Sequence, residues 1–354
     1  MIDFKTQKYA FFALLAAALF GASTPVAKLL LDGLSPVTLA GLLYLGSGLG
    51  LLALRIGKAL FSPHKTGSEA RLVPSDFPWL AGAIVAGGVV APVMLMWGLS
   101  GATASATSLL LNFESVITTL IAAAAFREAV SGRIWAASLV MLGGGLLLSY
   151  DPGAQFHLSL NSIAVMGACL MWAIDNNLTR RISAADPATI TTIKGLAAGV
   201  VNLALGQLAG DAVPGMSSAV GAMTLGLFSY GISLVLFIYA LRHLGSARTG
   251  AHFSTAPFIG AGMAILVLGE PMTITFAIAL VLMALATWLV LSEQHGHEHT
   301  HEYMAHSHRH FHDDHHMHEH DGTEGPEPHA HTHAHRPMTH RHAHLPDIHH
   351  RHRH

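Results

Sequence analysis

Charge and cysteine are what this sequence has least of. Asp, Glu, Lys and Arg together make up 11% of its 354 residues, and a single cysteine, Cys169, stands among them. One thiol excludes an intramolecular disulfide framework. So little charge beside 51% hydrophobic residues excludes an ordinary soluble domain. Also missing are a glycine-rich phosphate loop, a dinucleotide fingerprint and a nucleophile set beside a base. Neither an enzyme nor a nucleotide-driven pump is expected, no cofactor is required, and nucleic acid is not an expected partner. No large soluble domain interrupts the chain, since the longest internal loop, from Arg55 to Asp76, is short and basic.

What is present is a series of long apolar runs. A spanning helix takes about 20 apolar residues, because the bilayer core is about 30 Å thick and each residue rises about 1.5 Å. Ten segments meet that requirement: 9–31, 36–55, 77–98, 102–126, 133–150, 160–179, 187–208, 219–242, 248–268 and 273–292. The expected fold is an all-α membrane protein of ten transmembrane helices in contact with the lipid bilayer. Basic residues test the count, because short cytoplasmic loops collect Lys and Arg. The amino terminus and every second loop hold Lys5, Lys8, Arg55, Lys58, Lys65, Arg71, Arg127, Arg133, Arg180, Arg181, Arg242 and Arg248, whereas the opposite loops hold Lys28 alone. A missed or extra helix would invert everything after it. A multi-pass protein of a bacterial-type inner membrane, with both termini cytoplasmic, is therefore expected.

The chain also repeats itself. Setting Glu128 on Glu270 gives an offset of 142 residues, and Ile117, Ala122, Ala137, Met141 and Leu147 then meet Ile259, Ala264, Ala279, Met283 and Leu289. Setting Phe20 on Trp172 brings the first segment onto the sixth, so Ala22-Ser23-Thr24-Pro25 faces Ile174-Asp175-Asn176-Asn177. A cleaved signal peptide at the first segment would destroy that match, so the segment is expected to stay. Five spans per half force opposite orientations, the inverted-topology plan of many secondary transporters. Residues 1–150 form the first five-helix repeat, 151–294 the second, and 295–354 a separate tail.

These features resemble the EamA-type transporters of the drug/metabolite transporter superfamily, over roughly residues 9–292. The likeness rests on the repeat length, on Phe126-Arg127-Glu128 before Ile134-Trp135-Ala136-Ala137, and on Leu268-Gly269-Glu270-Pro271 before the last span. The first half departs from the Leu-Gly-Glu-Pro form, with Arg127 for Gly and Ala129 for Pro. The resemblance implies a ten-helix inverted-repeat bundle around a central cavity. It also implies export of amino acids, metabolites or toxic compounds, without specifying one substrate.

Ionisable side chains inside hydrocarbon cost roughly 2.5–3.5 kcal/mol even on insertion scales, so each one needs a reason. Glu114 lies mid-segment with Asn112 and Ser115 beside it and Thr118 one turn along the same face. It reads as a protonatable coupling or cation-binding site, or else as a hydrogen-bonded bridge between helices. Asp175, with Asn176 and Asn177, sits toward the cytoplasmic end of the sixth segment, and Lys194 sits about two turns into the seventh. By depth Asp175 and Lys194 could pair, either as a structural ion pair or as part of the substrate site. Their repeat partners are Ser23 and Leu42, so the charges are asymmetric between the halves. His252 reads as a proton relay or metal ligand, or as a packing residue near a helix end. Gly46, Gly48, Gly50 and the Gly143-Gly144-Gly145 run read as close-packing positions.

The tail from His295 to His354 carries 23 of the 27 histidines in repeated His-X-His steps. Its acids, Gly and Pro leave nothing to build a core, so disorder without ligand is expected. Neutral imidazoles suit zinc, nickel, cobalt or copper. The densest blocks supply His306, His308, His310 and His312, then His349, His350, His352 and His354 as metal ligands. A pH-responsive tail drawn to anionic lipid is the other reading, since histidine titrates near 6.5. The functional expectation is a secondary-active exporter of a small metabolite or cation, with protons as a possible coupling ion and the tail as a metal-responsive element. Two alternatives stand beside it: a divalent nickel, cobalt or zinc transporter, and a membrane-anchored metal sensor or buffer that transports nothing. Against metal cargo, no membrane segment carries Asp/His pairs at helical spacing.

Overall fold

A computed structural model of the protein describes residues 4–61, 72–126, 132–149, 159–182 and 185–292, and in the tail 295–301, 304–310, 329–335 and 338–344. Helices fill the membrane part, as a lipid-embedded backbone requires, because each helix satisfies its own N–H and C=O groups. In chain order they are α1 (Phe4–Gly21), α2 (Ser23–Leu30), α3 (Pro36–Phe61), α4 (Phe77–Ala83), α5 (Ala91–Ser100), α6 (Ala104–Leu110) and α7 (Phe113–Phe126). There follow α8 (Gly132–Ser149), α9 (Leu160–Arg180), α10 (Pro187–Leu208), α11 (Met216–Gly226), α12 (Ser233–Phe253), α13 (Ala256–Leu268) and α14 (Ile274–Leu291).

Among the described residues, seven helical stretches are long and apolar enough to cross a membrane, against the ten expected: 7–30, 36–57, 74–100, 132–149, 187–208, 216–240 and 274–291. The other three differ for physical reasons. Helix α9 spans 21 residues but carries Asn161, Asp175, Asn176 and Asn177. Segment 102–126 breaks at Leu111–Asn112, and segment 248–268 breaks at Ser254–Thr255.

Helix α12 continues through residues 242–248, where the sequence predicts a loop between two spans. It nevertheless doubles back on itself. The rings of Phe237 and Phe253 lie 4.8 Å apart, whereas straight helix would separate those positions by roughly 24 Å at about 1.5 Å per residue.

Local chemistry sets several ends. Thr103 caps α6 by accepting from the Ala106 N–H at 3.3 Å, and Asp186 caps α10 by accepting from the Ala188 N–H at 3.1 Å. The Leu-Gly-Glu-Pro stretch works the same way: Gly269 closes α13 in the left-handed conformation at φ 68°, and Pro271 follows where no helix can continue.

Between α4 and α5, residues Ile84–Val90 form a π-helical turn, and Leu227–Ile232 form another between α11 and α12. The 142-residue offset superposes them to within one residue. It also carries the break at Asn112 onto Ser254.

Helix α3 is the hub, packing on α10, α11 and the second π turn. A Cβ at Gly48 would strike the backbone of Gly195 and Leu196, and one at Gly46 would strike that of Met223, so both glycines permit approaches no larger residue allows. Of the triple glycine, Gly144 faces α14 and Gly145 faces Phe113, while Gly143 meets nothing.

The tail differs from expectation. Where the sequence argues disorder, the structure describes four strands, β1 (His295–His301), β2 (Met304–His310), β3 (His329–His335) and β4 (Met338–His344). Strand β1 pairs antiparallel with β4 and β2 with β3. The physical reason lies in the His-X-His steps, whose two-residue period is that of an extended strand. The register sets His295, His297 and His299 opposite His344, His342 and His340, and His306, His308 and His310 opposite His333, His331 and His329. His312, His349, His350, His352 and His354 lie outside the described residues.

Candidate functional site

Irregular backbone at membrane depth needs partners, because a carbonyl released from its helix has no water to turn to. The π turn at Ile84–Val90 shifts the hydrogen-bond ladder, and the Gly87 carbonyl accepts from two side chains instead, the Tyr44 hydroxyl at 2.5 Å and the Trp172 indole N–H at 3.0 Å. The neighbouring Gly88 carbonyl accepts from the Asn202 amide at 3.1 Å. Within and just past the second π turn, Ser229 and Ser233 donate to the carbonyls of Leu19 and Ala16 on α1 at 2.7 and 2.8 Å.

The break between α6 and α7 is drawn together by tight i→i−3 bonds. Leu111 N–H donates to Ser108, Asn112 N–H to Leu109 and Glu114 N–H to Leu111. The Asn112 side chain is used at both ends, donating to the Leu109 carbonyl at 2.9 Å and accepting from the Thr287 hydroxyl of α14 at 3.3 Å. At the repeat-related break, the Thr255 hydroxyl donates to the His252 carbonyl at 2.6 Å, and Pro257 opens α13 without an N–H to offer. His252 is thus tied into the break through its backbone, with its ring half-buried.

Charge gathers where these features meet. Asp175, 5% exposed, forms an ion pair with Lys194 across α9 and α10 and accepts from the Thr179 hydroxyl at 3.0 Å. A Cβ at Gly87 would fall inside the Asp175 carboxylate, so the π turn and the ion pair share one space. Glu114 opens α7 and is half-buried, and its carboxylate accepts from the Asn176 amide at 2.8 Å. The same amide reaches the Thr118 hydroxyl at 3.5 Å, and Asn177 donates to the Ala173 carbonyl at 2.8 Å.

Rings form a wall in the same core. Phe20 meets Tyr230 at 5.8 Å, Phe253 at 5.5 Å and Trp172 at 6.5 Å between centroids, and Tyr44 meets Tyr230 at 5.5 Å. These offset and edge-on geometries are those aromatic pairs favour.

Of the six membrane positions singled out in the sequence, Asp175 and Asn176 lie on α9, Asn112 and Glu114 on the broken segment packed beside it, and Lys194 on α10, joined to α9 through Asp175. The sixth, His252, stands at the other break. Sequence reasoning missed Tyr44, Trp172 and Gly87. A tyrosine and a tryptophan in apolar runs look like interfacial anchors, and only the π turn shows which carbonyl they serve.

The sequence pattern of the EamA-like transporter family matches residues 7–150 and again residues 160–292. The chain belongs to that family. An uncharacterized transporter of Methanothermobacter thermautotrophicus is 28% identical over 273 residues, covering 73% of this chain and 79% of that protein. A solved crystal structure shares the fold, with a TM-score of 0.59 at 17% identity over 80% of this chain and 95% of the other. Family members of this kind are membrane transporters with multiple apolar helices, and the chain is a membrane transporter on that ground.

Proposed function

We propose that the protein is a secondary-active transporter that exports a small metabolite or cation across a bacterial-type inner membrane, with Glu114 as the coupling site. One observation carries this reading: Glu114 on α7 and Asp175 on α9 lie on helices that pack together, and among the described residues Asp175 is in an ion pair whereas Glu114 is not. Asp175 and Lys194 neutralise one another, whereas the partner of Glu114 is a neutral amide. A carboxylate held this way can take a proton or a substrate cation and release it again. Asn176 positions Glu114, Asn112 braces the break beneath it, and the ring wall offers π faces to whatever enters. Energy comes from an ion gradient, with protons as the coupling ion.

Ten crossings in two inverted repeats accommodate the observations. The seven long spans are joined by α9, by the broken pair α6 and α7, and by the returning limb of α12 with α13. The alternation of Lys and Arg supports cytoplasmic termini. The tail then lies in the cytoplasm and binds a divalent transition metal, a role favoured by the histidine pairs its strand register sets opposite one another. Metal as the tail's ligand is preferred to metal as cargo, because the histidines are concentrated in the tail and no membrane segment carries Asp/His pairs at helical spacing.

The test uses everted vesicles with an imposed proton gradient, challenged in turn with amino acids, organic cations and zinc, nickel or cobalt, reading gradient collapse with a pH dye. At least one class is expected to discharge the gradient with the native protein, and Glu114→Gln is expected to abolish that response at equal protein level. An unchanged response in Glu114→Gln would remove Glu114 from the coupling role.

A further inference from the structure

The turn between α5 and α6, residues 101–103, is held from both sides by charges that no part of the substrate site uses. Lys28, in the last turn of α2, donates from its ammonium to the carbonyls of Leu99 at 2.7 Å, Ser100 at 3.1 Å and Ala102 at 2.8 Å. Glu270 accepts from the Ala104 N–H at 2.6 Å through one carboxylate oxygen and from the Ser105 N–H at 2.8 Å through the other. A cation therefore closes the carbonyl end of α5 and an anion closes the N–H end of α6, each matched to the helix dipole it faces. The grip also joins the halves of the molecule, since Lys28 belongs to the first repeat and Glu270 to the second.

Packing beneath the turn gives the grip its meaning. Helix α6 lies against α13, and α2 touches both. A Cβ at Gly260 would strike Ser108 and the Gly21 carbonyl, so three helices meet there with no room to spare. On the other side of the breaks, α7 packs on α9 and α12 on α1. The segments are packed together at the end that holds Lys28 and Glu270, which is the periplasmic end if both termini are cytoplasmic.

We propose that Lys28 and Glu270 are gate residues: together they lock the periplasmic end closed, and both must release the 101–103 turn before the central site opens outward. The proposal rests on the transporter reading but not on the identity of the substrate. The sequence repeats the same signs at the opposite face, where the two offsets set Arg180 on Lys28 and Glu128 on Glu270.

A labelling experiment tests the gate without any substrate. Full-length protein carrying Cys169→Ala and Thr118→Cys places one thiol beside Glu114. A membrane-impermeant maleimide is then applied from outside to intact cells and from the cytoplasmic side to everted vesicles. In the parent, cytoplasmic labelling is expected to be fast and outside labelling slow. Lys28→Met and Glu270→Ala are each expected to raise the outside rate about tenfold, the population shift that about 1.4 kcal/mol produces, while the cytoplasmic rate falls or holds. Lys28→Arg is expected to stay near the parent. Outside rates within about twofold of the parent in both Lys28→Met and Glu270→Ala overturn the gate. So do rates that rise together on both sides, which mark loss of fold. Because no transport is read, failure here is distinct from failure of Glu114→Gln to stop gradient collapse.

Discussion

Asp175 and Lys194 show how one buried residue sets the terms for another. The pair lies where a lone charge would be costly, and removing one partner of a buried pair typically costs about 3–5 kcal/mol, much more than the pair itself contributes. Asp175→Asn is accordingly expected to lower thermal stability in detergent far more than the double change Asp175→Asn with Lys194→Met. Equal losses would mean that the ion pair is reached by water. The charges themselves were legible in the sequence, because so few interrupt the apolar runs. Their pairing was legible only as a matching depth. Gly87, Tyr44 and Trp172 were not legible, since their importance comes from a carbonyl that only the folded chain releases.

Among the elements, the broken helices carry the argument. A break inside a membrane helix survives only where every freed backbone group finds a partner, and here the partners come from far along the chain. Thr287 on α14 holds Asn112, and Asn202 on α10 holds Gly88. Asn112→Leu removes one donor and one acceptor from a buried junction and strands the Thr287 hydroxyl. It is expected to cost about 1–3 kcal/mol, seen as a lower melting temperature, and to reduce transport by displacing Glu114 two residues along. A variant as stable and active as the parent would show that the break needs no brace. Hydropathy reads 102–126 as one continuous span because the average over the segment hides a two-residue interruption. Pro257 signals the second break openly, whereas the first has no proline to mark it.

At the scale of the whole molecule, the membrane part and the tail are separate chemical worlds. The tail strands pair with one another, and the bundle's buried core is built from residues before position 291. Truncation after Gln294 is therefore expected to leave the melting temperature and the response of the proton gradient unchanged, while abolishing zinc or nickel binding measured by titration calorimetry on the purified protein. Loss of the folded bundle on truncation would make the tail structural. The duplicated plan was legible from the offset alone, and the family pattern matches each half once. The reversal inside α12 falls where hydropathy reads two separate segments, although its helical turn hides it from secondary structure alone. The strand pairing of the tail was not legible, because composition speaks for polarity and says nothing of register.

The two π turns carry a historical consequence. A π turn is in effect one extra residue accommodated in a helix, and gaining it independently at matching places in both halves would require the same rare insertion twice. The wide turn is simpler to explain as an inheritance already present in the ancestral half before its gene was copied. Within that shared plan the 142-residue offset sets Ser229 on Gly87, so the space that the Asp175 carboxylate occupies belongs to one half alone.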